Sequence, residues 1–351
     1  MAGAAPQPAR LSWPALTLAI FWAVVLGAVG ITVLVLAVLG PPAPSPQAGN
    51  EAAPSRAAAP SRQAQPASPA APGAAIAAPD AALLAPAPDF PGLFLPKIAA
   101  DGRMPRKLYA GGVDPADKHP RIGVILGGMG LSASETRTAI TELPAQVTLA
   151  FSPYAADPAP LLAEARARGH EILLSLPLEP QNYPLNDAGP QTLLTGASAD
   201  ENARRLEWVL SRITGYAGTT GALAGLHGER FAAQIVNFST LQRALAARGL
   251  FYIDPRPDVP PPAEVPGRSV DLIIDAEPGD AAISAALDQL AARALARGSA
   301  LGLADLPRPV TVARIATWAG TLAARGLILV PASALVVVPA AAEGADHDAP
   351  Q

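Results

Sequence analysis

Few side chains in this chain can do covalent or metal chemistry. Among 351 residues there are four histidines, His119, His170, His227 and His347, and no cysteine. Thiolate nucleophiles, thiolate metal centres and disulfides are therefore excluded. Any metal would need imidazole and carboxylate ligands. Polar residues follow several apolar runs, the place from which a strand delivers a side chain to a binding mouth. They are Glu179 in Leu176-Pro-Leu-Glu-Pro180, Asp254 with Arg256 after Phe251-Tyr-Ile253, and Asp271 and Asp275 around Leu272-Ile-Ile274. Glu179, Asp254 and Arg256 are candidates to contact a ligand; the competing reading of Asp254 and Arg256 is an ion pair or loop cap. Tyr154, Tyr183 and Trp208 are candidate aromatics for stacking on a ligand, although Trp208 sits at the helical spacing of a core residue.

Gly127-Gly128-Met129-Gly130 lies between an apolar run and a helix signal, where a dinucleotide fold places its phosphate loop. A full G-x-G-x-x-G is missing, the next strand ends in Phe151-Ser-Pro without a ribose-binding acid, and no P-loop lysine follows. Nucleotide is not expected. Nucleic acid is not expected either, because a net charge of -4 and a pI near 5.6 offer no basic face.

The elements that must position these residues repeat. Arg121 to Leu126 reads as a strand, and Ser132-Ala-Ser-Glu135 is a capping box opening a helix to about Leu143. Gln146–Phe151 and Glu171–Leu176 read as strands, with a helix over Pro158–Arg168 between them. A second box, Ser198-Ala-Asp-Glu201, opens a helix reaching about Tyr216. Arg168-Gly169, Arg248-Gly249, Arg297-Gly298 and Arg325-Gly326 each end an alanine-rich stretch and precede an apolar run. Arginine suits the negative helix end and glycine the left-handed stop. Repeated helix-stop-strand units make an α/β fold with a mainly parallel sheet. The 248 residues of 93–340 match the ~250 of a β/α barrel; an open doubly wound sheet is the alternative.

The flanks have different physics. Leu11 to Asn50 carries no charge, and the 25 residues Ala15–Leu39 can cross a hydrocarbon core of ~30 Å. That run exceeds the apolar core of a cleavable signal peptide, so 11–40 is expected to be an uncleaved anchor. Arg10 before it and Glu51 after it place 1–10 in the cytoplasm and the rest outside, which in a bacterium means a single-pass inner-membrane protein with a periplasmic domain. Residues 41–92 hold 13 prolines and read as a disordered spacer of at most about 150 Å. An irregular lead-in, 93–120, precedes the domain at 121–337, and 338–351 reads as a disordered tail.

Several segments, in order, resemble the divergent polysaccharide deacetylase family, an envelope branch of the metal-dependent carbohydrate deacetylases. They include Val147-Thr-Leu-Ala-Phe-Ser-Pro-Tyr154, Gly169-His-Glu-Ile-Leu-Leu174, Gly189-Pro-Gln-Thr-Leu-Leu194, Gly228-Glu-Arg-Phe231, Arg248-Gly-Leu-Phe-Tyr-Ile-Asp254 and Arg325-Gly-Leu-Ile-Leu-Val-Pro331. The resemblance implies a distorted β/α barrel and, in active members, removal of acetyl groups from amino sugars with a divalent metal such as zinc. Active members resemble an Ile-Asp-Asp-Leu-Gly pattern at the first strand; here both acids are replaced, by Gly127 and Gly128. The family's Asn-Asn-His-Met-Gly-Ser-Arg-Phe is similar to Ala224-Gly-Leu-His-Gly-Glu-Arg-Phe231, with Leu226 at the histidine position and His227 beside it. The family's late Ile-Gly-His-Pro falls on Asp305, or on Leu306 when counted back from Pro307. The degenerate site thus comprises Gly127, Gly128, His227, Asp254 and Asp305, with His227 and Asp305 as the metal candidates.

Two functions follow from this. One is a catalytically degenerate barrel that binds an envelope glycan or an envelope protein and needs no cofactor. The other is an active deacetylase of N-acetylated glycans with a rearranged metal site.

Overall fold

The computed structural model describes residues 71–339, together with Trp22 and Leu26. Two compact units divide the chain, Met1–Ala64 and Gln65–Gln351. Of the first, only Trp22 and Leu26 are described, both helical and exposed. The expected cytoplasmic tail, the anchor apart from those two residues, the spacer up to residue 70 and the tail from 340 lie outside the described residues. Among the described residues, no helix is long and apolar enough to cross a membrane.

In chain order the second unit begins with a hairpin, β1 (Leu84–Pro86) and β2 (Phe94–Pro96), and a short helix α1 (Pro105–Leu108). Strands and helices then alternate: β3 (Arg121–Met129), α2 (Ala133–Glu142), β4 (Thr148–Phe151), α3 (Ala159–Ala167), β5 (Ile172–Ser175), α4 (Ala199–Leu210) and β6 (Gly218–Thr220). After these come α5 (Glu229–Ala232), α6 (Ile235–Ala246), β7 (Phe251–Asp254), β8 (Gly267–Ser269), β9 (Leu272–Ile273), α7 (Asp280–Arg297), β10 (Ser299–Ala304), α8 (Pro309–Ala319) and β11 (Ile328–Val330). The local signals act where the sequence puts them. Ser132 and Ser198 accept from the backbone N–H of Glu135 and Glu201, and the glycines of all four Arg-Gly stops have φ between 70 and 86°.

Nine parallel strands form one sheet in the order β8-β7-β6-β5-β4-β3-β10-β9, with β11 also on β3. Two apolar clusters show that this sheet is curled. One joins outward strand residues such as Leu126, Leu149, Ile172 and Tyr252 to helix residues such as Ile140, Leu162, Leu245 and Leu287. The other joins the alternate strand residues Ile125, Ala150, Leu173, Ile253, Leu301 and Leu303, which face one another and receive nothing from α2 to α8. A doubly wound sheet would carry helices on both faces; this one curls around an inner apolar face, with β8 and β9 at its two unpaired edges.

The structure departs from the sequence expectations in four places. The spacer expected through residue 92 is packed from Ile76 onward: Ile76 donates to the Arg166 carbonyl at 2.9 Å, Leu83 is 1% exposed, and β1 pairs with β2. Its proline content masked a few well-spaced apolar residues, Ile76, Leu83, Phe90 and Leu93, that find sites on the core. The lead-in also packs, with Ala99, Tyr109 and Val113 joining the inner cluster. The second capping-box helix stops at Leu210 rather than near Tyr216, because the Tyr216 hydroxyl donates to the Leu210 carbonyl at 2.9 Å and Ser211 caps the turn. Finally, β3 runs through Gly127 and Gly128 to Met129, so these glycines form an irregular strand end instead of a turn.

Candidate functional site

The C-terminal end of β3 meets the turn after β10, where two backbone features decide the chemistry. The Asp275 carboxylate accepts the backbone N–H of Asp305 at 2.7 Å and of Leu306 at 3.3 Å, fixing that turn against the mouth. The turn then presses on the glycines. A β-carbon at Gly127 would lie 3.0 Å from the Asp305 carbonyl oxygen. At Gly128 it would lie 2.7 Å from Leu306 Cδ2 and 3.1 Å from the same carbonyl, on a backbone with φ of 68° that side chains rarely adopt. A side chain at either position would crowd this turn, and at 128 it would also strain the backbone.

His227 comes from the loop before α5 and reaches the same turn. Its Nε2 donates to Asp305 Oδ1 at 2.8 Å, and its Nδ1 is 3.8 Å from Glu229 Oε1. Burial works to lower the His227 pKa, but the hydrogen bond and charge of Asp305, with Glu229 and Asp275, raise it above the usual imidazole range. Burial pushes Asp275 up, and the charge of Asp305 adds to this. The structure thus brings together the two expected metal candidates, 78 positions apart, but as partners of each other. With Nε2 on Asp305 and both strand acids replaced, the donors do not make the three-ligand set of a catalytic zinc. Among the described residues, no group of three histidine, cysteine or acidic side chains could hold a metal.

Asp254 has a partner of its own. Its carboxylate, 2% exposed, takes a bidentate bond from Arg256, Nε at 2.9 Å and Nη2 at 2.6 Å, and also the Arg256 backbone N–H. Arg256 also lies over the Phe238 ring, 5.4 Å from its centroid. The ion-pair reading of these two residues is therefore the one the geometry supports. Glu179 is likewise engaged, accepting from the Thr195 N–H and pairing with Arg230 at 3.0 Å, while its carbonyl takes the Phe231 N–H. It ties the loop after β5 to α5. Tyr154 accepts from the Gln191 N–H at 3.2 Å and packs on Trp208 with ring centroids 5.7 Å apart, and Trp208 borders the core. The Tyr183 carbonyl accepts from Arg230.

The remaining histidines serve elsewhere. His170 is fully buried, with its ring nitrogens at the Val147 and Ile140 carbonyls, 2.9 and 3.2 Å away. His119 is exposed beside Asp117, and His347 lies outside the described residues. The residues that sequence reasoning underweighted are Asp275, which holds the closing turn, and Glu229, which sits two positions after His227. Asp275 carried one signal, its place after an apolar run, but nothing local showed that its partners would be backbone groups 30 residues on.

Comparison with known proteins bears on this arrangement. A family model described as divergent polysaccharide deacetylase matches residues 124–336. An uncharacterized protein from Agrobacterium tumefaciens C58, known as a crystal structure, is 34% identical; the match covers 69% of this chain and 99% of that one, with a TM-score of 0.64. A search of curated proteins found no match. The family match runs from within β3 to the turn after β11 and includes Gly127, Gly128, His227 and Asp305. On that extent, the chain belongs to the divergent polysaccharide deacetylase family.

Proposed function

We propose that this protein is a non-hydrolysing member of its family, held at the bacterial inner membrane by residues 11–40, whose periplasmic barrel recognises an envelope glycan. The observation that carries this reading is the crowded strand end. The Asp305 carbonyl and the Leu306 side chain crowd any β-carbon at positions 127 and 128. Hydrolysis of an acetamide needs a polarised carbonyl and an activated water. At this mouth the acids are gone and the remaining imidazole is committed to Asp305. Retention of the fold alongside loss of that machinery favours binding over turnover.

The test is metal content and acetate release, measured on the full-length protein purified without a metal-affinity tag, together with binding of N-acetylated amino-sugar oligomers. The expected result is saturable glycan binding, with no stoichiometric zinc and no acetate released. About one zinc per chain, lost in His227→Ala, would overturn the proposal in favour of a rebuilt metal site. Absence of glycan binding would overturn its recognition half.

A further inference from the structure

On the outer wall, α3, the segment after α4 and the β1–β2 hairpin border a cavity of about 360 Å³. Among the described residues two cations line it, Arg166 and Arg212, and no carboxylate does. Arg166 is only 7% exposed, yet it meets no acid among the described residues. Its Nε donates to the Gly215 carbonyl at 3.2 Å, and its Nη2 to the carbonyls of Thr214 and Gly215. Its Nη1 has no acceptor among the described residues. Carbonyls satisfy N–H groups but bring no net charge, so the guanidinium remains a buried cation without a counter-ion. Burial accordingly lowers its pKa from the usual arginine range.

Arg212 is held in place from the other side. Its Nε donates to the Pro153 carbonyl at 3.2 Å, and the guanidinium lies 4.9 Å from the Trp208 ring centroid. Its terminal nitrogens have no acceptor among the described residues. The rest of the lining is largely apolar, with Leu93, Leu162, Ile213 and the 44%-exposed Phe94. Two pinned guanidiniums beside an apolar and aromatic wall make a site with a charged end and a dry end. The chain's own preceding segment is poorly suited to fill it, since Glu51 is the single acid between residues 11 and 79.

We propose that this cavity binds a small organic anion, its carboxylate or phosphate head taken by Arg166 and Arg212 and its apolar body set against Phe94 and Leu162. The site is separate from the barrel mouth and independent of whether the mouth binds glycan. Titration calorimetry on the full-length protein tests it with phenylacetate and phenyl phosphate, against benzyl alcohol as the neutral analogue and inorganic phosphate as the head alone. The expected result is one saturable site for at least one aromatic anion with a Kd of about 1 mM or tighter, and roughly tenfold or weaker binding of both controls. Which anion binds tighter distinguishes a carboxylate from a phosphate ligand. Arg212→Gln and Phe94→Ala should each weaken binding roughly tenfold. Arg166 is left intact because it holds the 214–215 turn, and exposed Phe94 provides a variant that keeps the fold. No saturation by either anion up to about 10 mM, equal binding of benzyl alcohol, or unchanged binding in Phe94→Ala overturns the proposal.

Discussion

At the floor of the barrel, Glu171 is fully buried and accepts from the Gly111 N–H at 3.0 Å, the Ser333 N–H at 3.0 Å and the Thr148 hydroxyl at 3.2 Å. At the mouth, the side chains of His227 and Asp305 stay 16% and 13% exposed and are joined chiefly to each other. The floor carboxylate stitches three distant segments together: the lead-in, β4 and the turn after β11. The mouth residues pair side chain to side chain beside a backbone turn that covers two glycines. One end thus uses a buried acid to hold the fold. The other uses acids and an imidazole to hold a turn against the end of β3. Polar residues near a family's catalytic position are not thereby catalytic; their partners decide.

The comparison is sharpened most strongly at the floor. Glu171→Ala leaves buried donors without an acceptor and should cost about 3 kcal/mol, read as an unfolding-midpoint shift in urea. A loss below about 0.5 kcal/mol would show that the floor is no more committed than the mouth. Burial raises the Glu171 pKa above the usual glutamate range, despite the hydrogen bonds from Ser333, Gly111 and Thr148. The folded state therefore holds its proton at pH values where the unfolded state has released it. Stability from this group is full below the unfolded value of about 4.3 and declines as pH rises toward the folded value. Glu171→Gln should remove that decline.

Next in size is an attempt to reopen the mouth. Gly128→Asp must place a β-carbon against Leu306 and the Asp305 carbonyl on a left-handed backbone, and should cost about 2–4 kcal/mol without gaining zinc affinity. Thermal unfolding with and without zinc checks it. A variant as stable as the parent that binds zinc would show the turn to be displaceable, and the mouth would then resemble a dormant site.

The smallest effect concerns the His227–Asp305 pair. Asp305→Asn should bring the His227 titration down, followed by imidazole NMR shifts, and should cost about 1 kcal/mol at low pH. Because the folded pKa is raised, this contribution is complete below the unfolded value of about 6.5 and is lost as pH rises through the folded one. An unchanged His227 titration in the variant would mean that Glu229 and Asp275, not Asp305, set its charge.

Much of the fold could be read from local chemistry. Two serine-led capping boxes and four Arg-Gly stops act over single turns of chain, and the structure uses each at its place. Composition misplaces the spacer boundary because it averages over residues, whereas packing selects individual ones such as Ile76 and Leu83. At the site, replacement of the two acids was visible in the sequence, but its accommodation was not. Nothing near Gly127 announces that the Asp305 carbonyl lies against it, because that contact depends on β10 running beside β3 and on Asp275 holding the turn.

The sequence by itself determined the parallel α/β architecture, the family resemblance and the absence of both strand-end acids. These are properties of short windows and of residue identity. Only the tertiary structure decided that the sheet curls around an inner apolar face, that the proline-rich lead-in packs into the core, and that His227 and Asp305 belong to one another. Those outcomes require groups 30 to 184 residues apart to meet, as Asp305 meets Asp275 and Ala332 meets Thr148. Long-range register and burial set which partners are available, and no local pattern of residue types encodes that choice.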